Sequence, residues 1–309
     1  MAVINIPNRI SDNFGDGLDQ FFVIVGEIRN HPGSEPIELD MTSCIFSNPF
    51  FLLPLMAFIK AAAPERTFTI RNDGSNLGFR SYLDRIHFGK GLLPESTTSE
   101  KYDSLLEQYS AKTYIPIINF PATRLKDDVE IRDKFLSAVN NLLIKQLKLK
   151  GGFLTAVMYL LDEAINNIVD HSKEDRGFIF AQSFPSKNFI DICVVDTGIT
   201  ILGAYKEKEE LNIISDKVAI SSAANGKSTK DRPESEGRGF GIRTSKQMLV
   251  DGLKGKYLLL SGGAFLIKTI DKEEVVEIPS NLYFKGTALF LRVPSLLNIS
   301  FDPSQYYGG

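Results

Sequence analysis

Leu160-Leu161-Asp162-Glu163-Ala164-Ile165-Asn166-Asn167-Ile168-Val169-Asp170-His171 is the stretch on which the reading of this chain turns. Apolar residues at Leu160, Leu161, Ala164, Ile165, Ile168 and Val169 recur along one side of a helix, so one stripe faces a core. Glu163 and Asn167 are four residues apart and project from one face, a turn from each other. Asn is a poor helix former, and two in succession carry a local cost. Polar residues kept at such a cost beside a buried stripe are where functional chemistry is sought. Taken alone, the segment reads equally well as an ordinary amphipathic helix with a solvated edge.

Downstream, Gly177–Gln182 and Phe189–Val195 read as an antiparallel pair of strands turned by Pro185-Ser186-Lys187-Asn188. The second strand runs into Asp196-Thr197-Gly198. A long polar stretch follows, with the run Asn225–Glu236, and leads to Gly237-Arg238-Gly239-Phe240-Gly241 at the head of a helix reaching Val250. Gly255–Gly263 is a strand and turn, and Gly286-Thr287 opens the last strand, to Pro294. Each word alone is weak. Asp-x-Gly after a strand is a common turn, and Gly-x-Gly-x-Gly before a helix is a general anion-binding geometry. Glycines let backbone approach closely, and a helix N-terminus offers free N–H groups.

Upstream, Phe21–Val25 reads as a strand or an early helix, Pro36–Met41 as a strand, and Ser47-Asn48-Pro49 as a helix start. Pro54 should kink that helix or delay its start. Thr67–Arg71 is a strand and Ser75–Phe88 a helix, giving a small α/β layer up to about residue 90. A polar linker spans 91–112. Tyr114–Phe120 is a strand whose Pro116 suggests a sheet edge. The helix Asp127 to about Lys148 carries the stripe Phe135, Val139, Leu142, Leu143 and Leu147, and Gly151-Gly152 separates it from the helix quoted first.

The chain has 309 residues, enough for about two domains of ~150 residues. With 43% hydrophobic and 24% charged residues it has the composition of a globular protein with a core. A net charge of −3 gives no nucleic-acid footprint. The longest apolar run, Pro49 to Ile59, contains Pro54 and falls short of the ~20 residues a membrane helix needs. The N-terminus lacks the pattern of a signal peptide. Cys44 and Cys193 fall in or beside apolar strands, which argues against a disulfide framework or zinc site and fits a reducing cytoplasm.

In order, Glu163-x-x-x-Asn167, Asp196-x-Gly198, a long polar loop, Gly237-x-Gly239-x-Gly241 and Gly286-Thr287 resemble the GHKL ATP-binding fold over about 150–295. Glu-Ala-Ile-Asn-Asn-Ile-Val-Asp-His is closest to its anti-sigma-factor serine-kinase branch. The resemblance implies an α/β (α+β) chain: residues 111–309 as a two-layer α/β sandwich of the GHKL (Bergerat) type with a mixed sheet, after a small α/β domain and linker over 1–110. It implies the cofactors ATP and Mg²⁺. Asn167 would give its amide oxygen to Mg²⁺, and Glu163 would orient or deprotonate the attacking nucleophile. Asp196 would accept from the adenine amino group, with Gly198 letting backbone pass the base and Thr287 supporting the adenine side. Gly237, Gly239 and Gly241 would wrap the phosphates under a lid formed by about 199–236, from which Lys227, Ser228 or Thr229 would reach phosphate. His171 is assigned to packing at the helix end. The family often has Asp-x-Gly-x-Gly; Thr200 in place of the second glycine should stiffen the lid hinge.

Residues 35–95 resemble a STAS-like domain, through the strand Ile37–Met41, the turn Phe46-Ser47-Asn48-Pro49 and the tail Tyr82–Phe88. Proteins of that type carry a phosphorylatable Ser at the helix start. Here Asn48-Pro49 stands there and neither Ser43 nor Ser47 fits, so a docking role is expected. His31, His87 and His171 have no setting suited to a phosphoacceptor histidine, and with about 15 residues after the last strand the gyrase and chaperone types, which need a following domain with a γ-phosphate lysine, are not expected. Two readings follow: a Mg-ATP-dependent protein serine/threonine kinase of the anti-sigma type or slow ATPase in bacterial-type signalling, or a nucleotide-gated interaction module. Expected partners are ATP/ADP and a protein regulator or STAS-type antagonist, with no nucleic acid and no membrane. The helices at 127–171 offer a surface for pairing two chains.

Overall fold

The computed structural model describes residues 1–74, 76–93, 104, 106–147, 150–207, 213–227, 241–295 and 301–306. The chain is α+β. Strands β1 (Ala2–Asn5), β2 (Ile37–Asp40) and β3 (Phe68–Arg71) form a parallel three-stranded sheet in that order. Helices α1 (Asp16–Asn30) and α2 (Pro49–Ala62) are its crossovers, and α3 (Leu77–Arg85) follows. The remainder builds a seven-stranded sheet from β4 (Ile118–Pro121), β5 (Arg176–Phe184), β6 (Phe189–Asp196), β7 (Lys256–Gly262), β8 (Ala264–Lys268), β9 (Glu273–Glu277) and β10 (Phe284–Pro294). Their order is β4-β5-β6-β10-β7-β8-β9. Helices α4 (Lys126–Leu147), α5 (Gly151–His171), α6 (Ile201–Lys206), α7 (Asp216–Ala224) and α8 (Gly241–Gln247) complete the set used below, and α8 runs into a π-helical turn, Met248–Gly252.

Every ladder of the large sheet is antiparallel, which corrects the expectation of a mixed sheet. The reason is connectivity. β5 to β6, β7 to β8 and β8 to β9 are joined by turns far too short for a parallel crossover. Among the named strands the parallel pairing lies in the small sheet, whose strands alternate with helices, and an isolated parallel bridge joins Leu92 to Ile118 of β4. Strands β8 and β9, which the sequence reading left out, extend the sheet beyond β7. Phe21–Val25 belongs to α1, and β1 precedes it.

Alternation along the central strands sends side chains to two cores. Ile192, Val194, Leu259, Leu289 and Leu291 face α5, α8 and the π-helical turn. Cys193, Val195, Leu258, Leu260 and Phe290 face the other way, into a core shared with α1, α2 and the three-stranded sheet. Both faces of the large sheet are therefore covered, and the N-terminal layer shares its core with the sheet. The stripe of α5 lies as its periodicity requires: Leu160, Leu161, Ala164, Ile165 and Ile168 are buried. Phe135 and Val139 of α4 are buried too, while the side chains of Leu142, Leu143 and Leu147 lie outside those described.

Helix α2 starts at Pro49 and continues through Pro54, so its start is not delayed. Burial of every residue from Pro49 to Ala57 offsets the lost backbone hydrogen bond. Its N-cap is Asn48, whose Oδ1 accepts from Phe50 N at 3.1 Å and whose Nδ2 donates to Ser11 O at 2.7 Å. Asn48→Ala should lower stability by about 1–2 kcal/mol, read as a reduced urea midpoint at unchanged m value. Among the described residues no helix is long and apolar enough to cross a membrane.

A cross-strand ion pair ties the layers together. Arg292 of β10 faces Asp191 of β6 in register and bonds both carboxylate oxygens at 2.7 Å. Its Nη2 also donates to Asp12 O at 2.8 Å, and the guanidinium lies 3.8 Å from the Phe189 ring centroid. Asp191 is fully buried. Burial pushes its carboxyl up, to about 6, against the downward pull of Arg292.

Candidate functional site

The ends of β6 and β10 fix the floor of a cavity of about 920 Å³ counting its mouth, within the size range of ligand pockets. Asp196 ends β6 and stands opposite Thr287 of β10 in register. Its side chain is 3% exposed. Gly198 N donates to its Oδ1 at 2.9 Å, and the Thr287 backbone N–H also bonds the carboxylate. Burial nevertheless dominates and raises the carboxyl to about 7.

Two glycines permit this geometry. A Cβ at Gly198 would lie 1.9 Å from the carbonyl oxygen of Ser172, just past the end of α5, where Ile199 N donates to the same oxygen at 2.8 Å. At Gly286 φ is +98°, and a Cβ would lie 2.1 Å from Asp196 O. The register of β10 on β7 shifts between Phe284 and Thr287, a bulge that glycine makes possible. Beside it, Ser261 of β7 is buried, with its Oγ 3.1 Å from Thr287 Oγ1 and accepting from Ile201 N at 2.9 Å.

Helix α5 forms one wall. Asn167 lines the cavity, and so does His171 one turn later, which places that histidine at the site rather than only in helix-end packing. Glu163 is a turn earlier. Its Oε2 is 2.2 Å from where a Cβ would stand on Gly241, the residue that opens α8 and lines the cavity. So the carboxylate of Glu163 meets the head of α8. Gly237 and Gly239 lie outside the described residues, as do Ser228 and Thr229.

The stretch expected to form the lid holds α6 and α7 among its described residues. Thr200, 7% exposed, caps α6: its Oγ1 accepts from Gly203 N at 3.1 Å. The residue that departs from the double-glycine pattern thus fixes a helix start. Tyr205, Ile213, Ala219 and Ala223 form a small core, with Ile201 and Ile242 of α8 packed against it. The Tyr205 hydroxyl donates to the carbonyl oxygen of Lys227, another cavity residue.

Of the residues singled out in the sequence, Asn167, Asp196, Gly241 and Thr287 line one cavity, and Gly198 and Glu163 touch its walls through their neighbours. Sequence reasoning missed Ser261, Ser172 and the apolar walls Tyr257 and Leu259. Ser261 had a usable signal: a hydroxyl ending the apolar run Tyr257–Leu260, just before Gly262-Gly263. Among the described residues no three His, Cys, Asp or Glu side chains could together hold a metal ion. The oxygen of Asn167 is a hard donor suited to a Mg²⁺ that brings its other ligands with phosphate and water.

No family model, curated protein or solved structure matches this chain.

Proposed function

We propose that the cavity binds Mg-ATP and that the protein is a nucleotide-dependent regulator, a GHKL-like protein serine/threonine kinase of the anti-sigma type or a slow ATPase. One observation carries the reading: Asn167, Asp196, Gly241 and Thr287, dispersed over the sequence, line a single cavity with a buried carboxylate at its floor. A carboxylate there suits an exocyclic amino group of a base. Asn167, a turn from Glu163 on the same helix, suits a phosphate-borne Mg²⁺, and Glu163 beside Gly241 suits a nucleophile activated at the γ-phosphate.

A second reading, a nucleotide-gated interaction module, has its own support. The position of the STAS-type phosphoacceptor holds Asn48, 1% exposed and committed to capping α2, and Ser47 beside it is 2% exposed. That suits residues 1–110 as a docking layer rather than a phosphorylation switch, with 111–309 as the nucleotide unit.

Calorimetric titration with Mg-ADP and Mg-GDP tests the site. At pH 8, where Asp196 is ionised, ADP should bind at least about a hundredfold tighter, because a guanine carbonyl facing Asp196 would leave a buried acceptor against an acceptor. Equal affinities would sink the assignment. ADP release from wild type and Glu163→Ala then separates the readings. Loss of turnover with retained ATP affinity in the variant supports the enzyme. Background release from both, with ATP-dependent capture of a protein partner, supports the interaction module.

A further inference from the structure

A second cavity, of about 1040 Å³ and open to solvent, lies between the C-terminal ends of α1 and α2 and the start of β10. Its floor and walls include the aromatic residues Phe58, Phe68 and Phe284, with Phe284 buried. Its charged lining is one-sided: Arg29, Arg66 and Lys285 against the single carboxylate of Glu65. Arg66 is committed to structure, since its guanidinium donates to the carbonyl oxygens of Ile28, His31, Pro32 and Gly33 at the end of α1. Arg29 is only partly committed. It donates to Asn281 O and Tyr283 O, which leaves further N–H groups of its fork. Lys285 is exposed at the rim. Among the described residues no carboxylate stands within ion-pair distance of Arg29, Arg66 or Lys285.

Ordinary surface cations stand alone in water, where an unpaired charge costs little. Here Arg29 and Lys285 border a concave aromatic surface, Arg29 with its guanidinium 5.6 Å from the Phe58 ring centroid, and desolvation by burial already lowers the pKa of Arg29 without a carboxylate to offset it. A ligand that removes water from such a surface must bring negative charge, and the walls select a flat apolar body. We infer that this cavity is a binding site for a small organic anion with an aromatic body, an aryl carboxylate or sulfonate. The ring packs on Phe58, Phe68 and Phe284, and the anionic group meets Arg29 and Lys285 at the rim. The site lies on the opposite face of β10 from the Asp196 cavity and stands whether or not that cavity takes a nucleotide.

The test uses the full chain and 8-anilinonaphthalene-1-sulfonate, with its uncharged relative N-phenyl-1-naphthylamine as the control. Fluorescence titration should show saturable binding of the sulfonate. Affinity should fall about tenfold in Lys285→Glu, a charge reversal at an exposed strand end. Ala62→Glu, which sets a carboxylate in the cavity wall, should weaken it similarly and serves if the first variant folds poorly. The uncharged dye should bind more weakly to wild type and be indifferent to both variants. Sulfonate affinity unchanged in the two variants, or equal affinity for the two dyes, would overturn the assignment. Because Ala62 ends α2 and lines this cavity and not that of Asp196, dye bound only in the Asp196 cavity would keep its affinity in Ala62→Glu, which would also overturn the assignment.

Discussion

Asp196→Asn is expected to abolish adenosine binding, and the wild-type affinity should itself depend on pH. Adenosine is the suitable probe because it has no phosphate to titrate. The folded-state pKa of Asp196 is raised by burial to about 7, from an ordinary value of 3.8. Between those values the folded protein holds a proton that the unfolded chain has released. The stability contributed by this group is therefore greatest below pH 3.8 and is lost as pH rises through about 7. A ligand amino group donating to the carboxylate favours the ionised form. Adenosine affinity should then rise from pH 5.5 to pH 8, by more than about tenfold, and level off above the folded pKa. Calorimetry at pH 5.5, 6.5 and 8 reads this directly. Affinity that strengthens towards acid would assign the protonated carboxyl as the binding form. Affinity retained in Asp196→Asn would remove Asp196 from the site. The loss in the variant has a simple cause: the carboxamide turns an NH₂ either to the ligand or to the backbone N–H of Gly198 or Thr287, where the structure requires acceptors.

The second large effect is on stability. At pH 8 Arg292→Ala should cost about 3–5 kcal/mol, because Asp191, fully buried and without its fork of two 2.7 Å bonds, must either keep an unpaired charge or take up a proton. The same change frees Asp12 O and removes the guanidinium packed on Phe189. The pH dependence identifies the mechanism. Asp191 already titrates upward, to about 6, in the intact pair. Once protonated it no longer needs Arg292, so the deficit of the variant should shrink in urea melts as pH falls from 8 to 5. Asp191→Leu combined with Arg292→Met should recover most of the loss, since removal of both charges leaves neither stranded. A deficit that stays the same at pH 5 and pH 8 would point to lost packing rather than a stranded carboxylate.

The periodic parts of the chain were legible because their burial follows directly from spacing. The stripe of α5 and the alternation of β5, β6 and β10 each fix which side chains enter which core. The site was legible where residue types are restrictive: Asp196 at a strand end before glycine, and Asn167 a turn after Glu163. What escaped is non-local. Strand β9, Glu273–Glu277, is rich in charge and becomes a strand because β8 offers it a ladder, which no local propensity states. The antiparallel order of the large sheet was hidden by a resemblance that implied a mixed one. Ser261 joined the site through its position opposite Thr287, a register visible only once the strands are paired. Pro54 did not delay the start of α2, because burial against β5, β6 and β10 outweighs the proline penalty.

That burial also sets an order of events during synthesis. Helix α2 is complete by Ala62, yet the sheet face it covers is finished only when β10 ends at Pro294. At roughly 5–20 residues per second, the buried surface of Pro49–Ala57 waits on the order of ten seconds or longer after leaving the ribosome. During that interval Phe50, Phe51, Leu52, Leu53 and Leu55 have only α1 and the small parallel sheet for cover. A fragment ending near residue 110 should pellet on expression, whereas co-expression with residues 111–309 should return it to the soluble fraction.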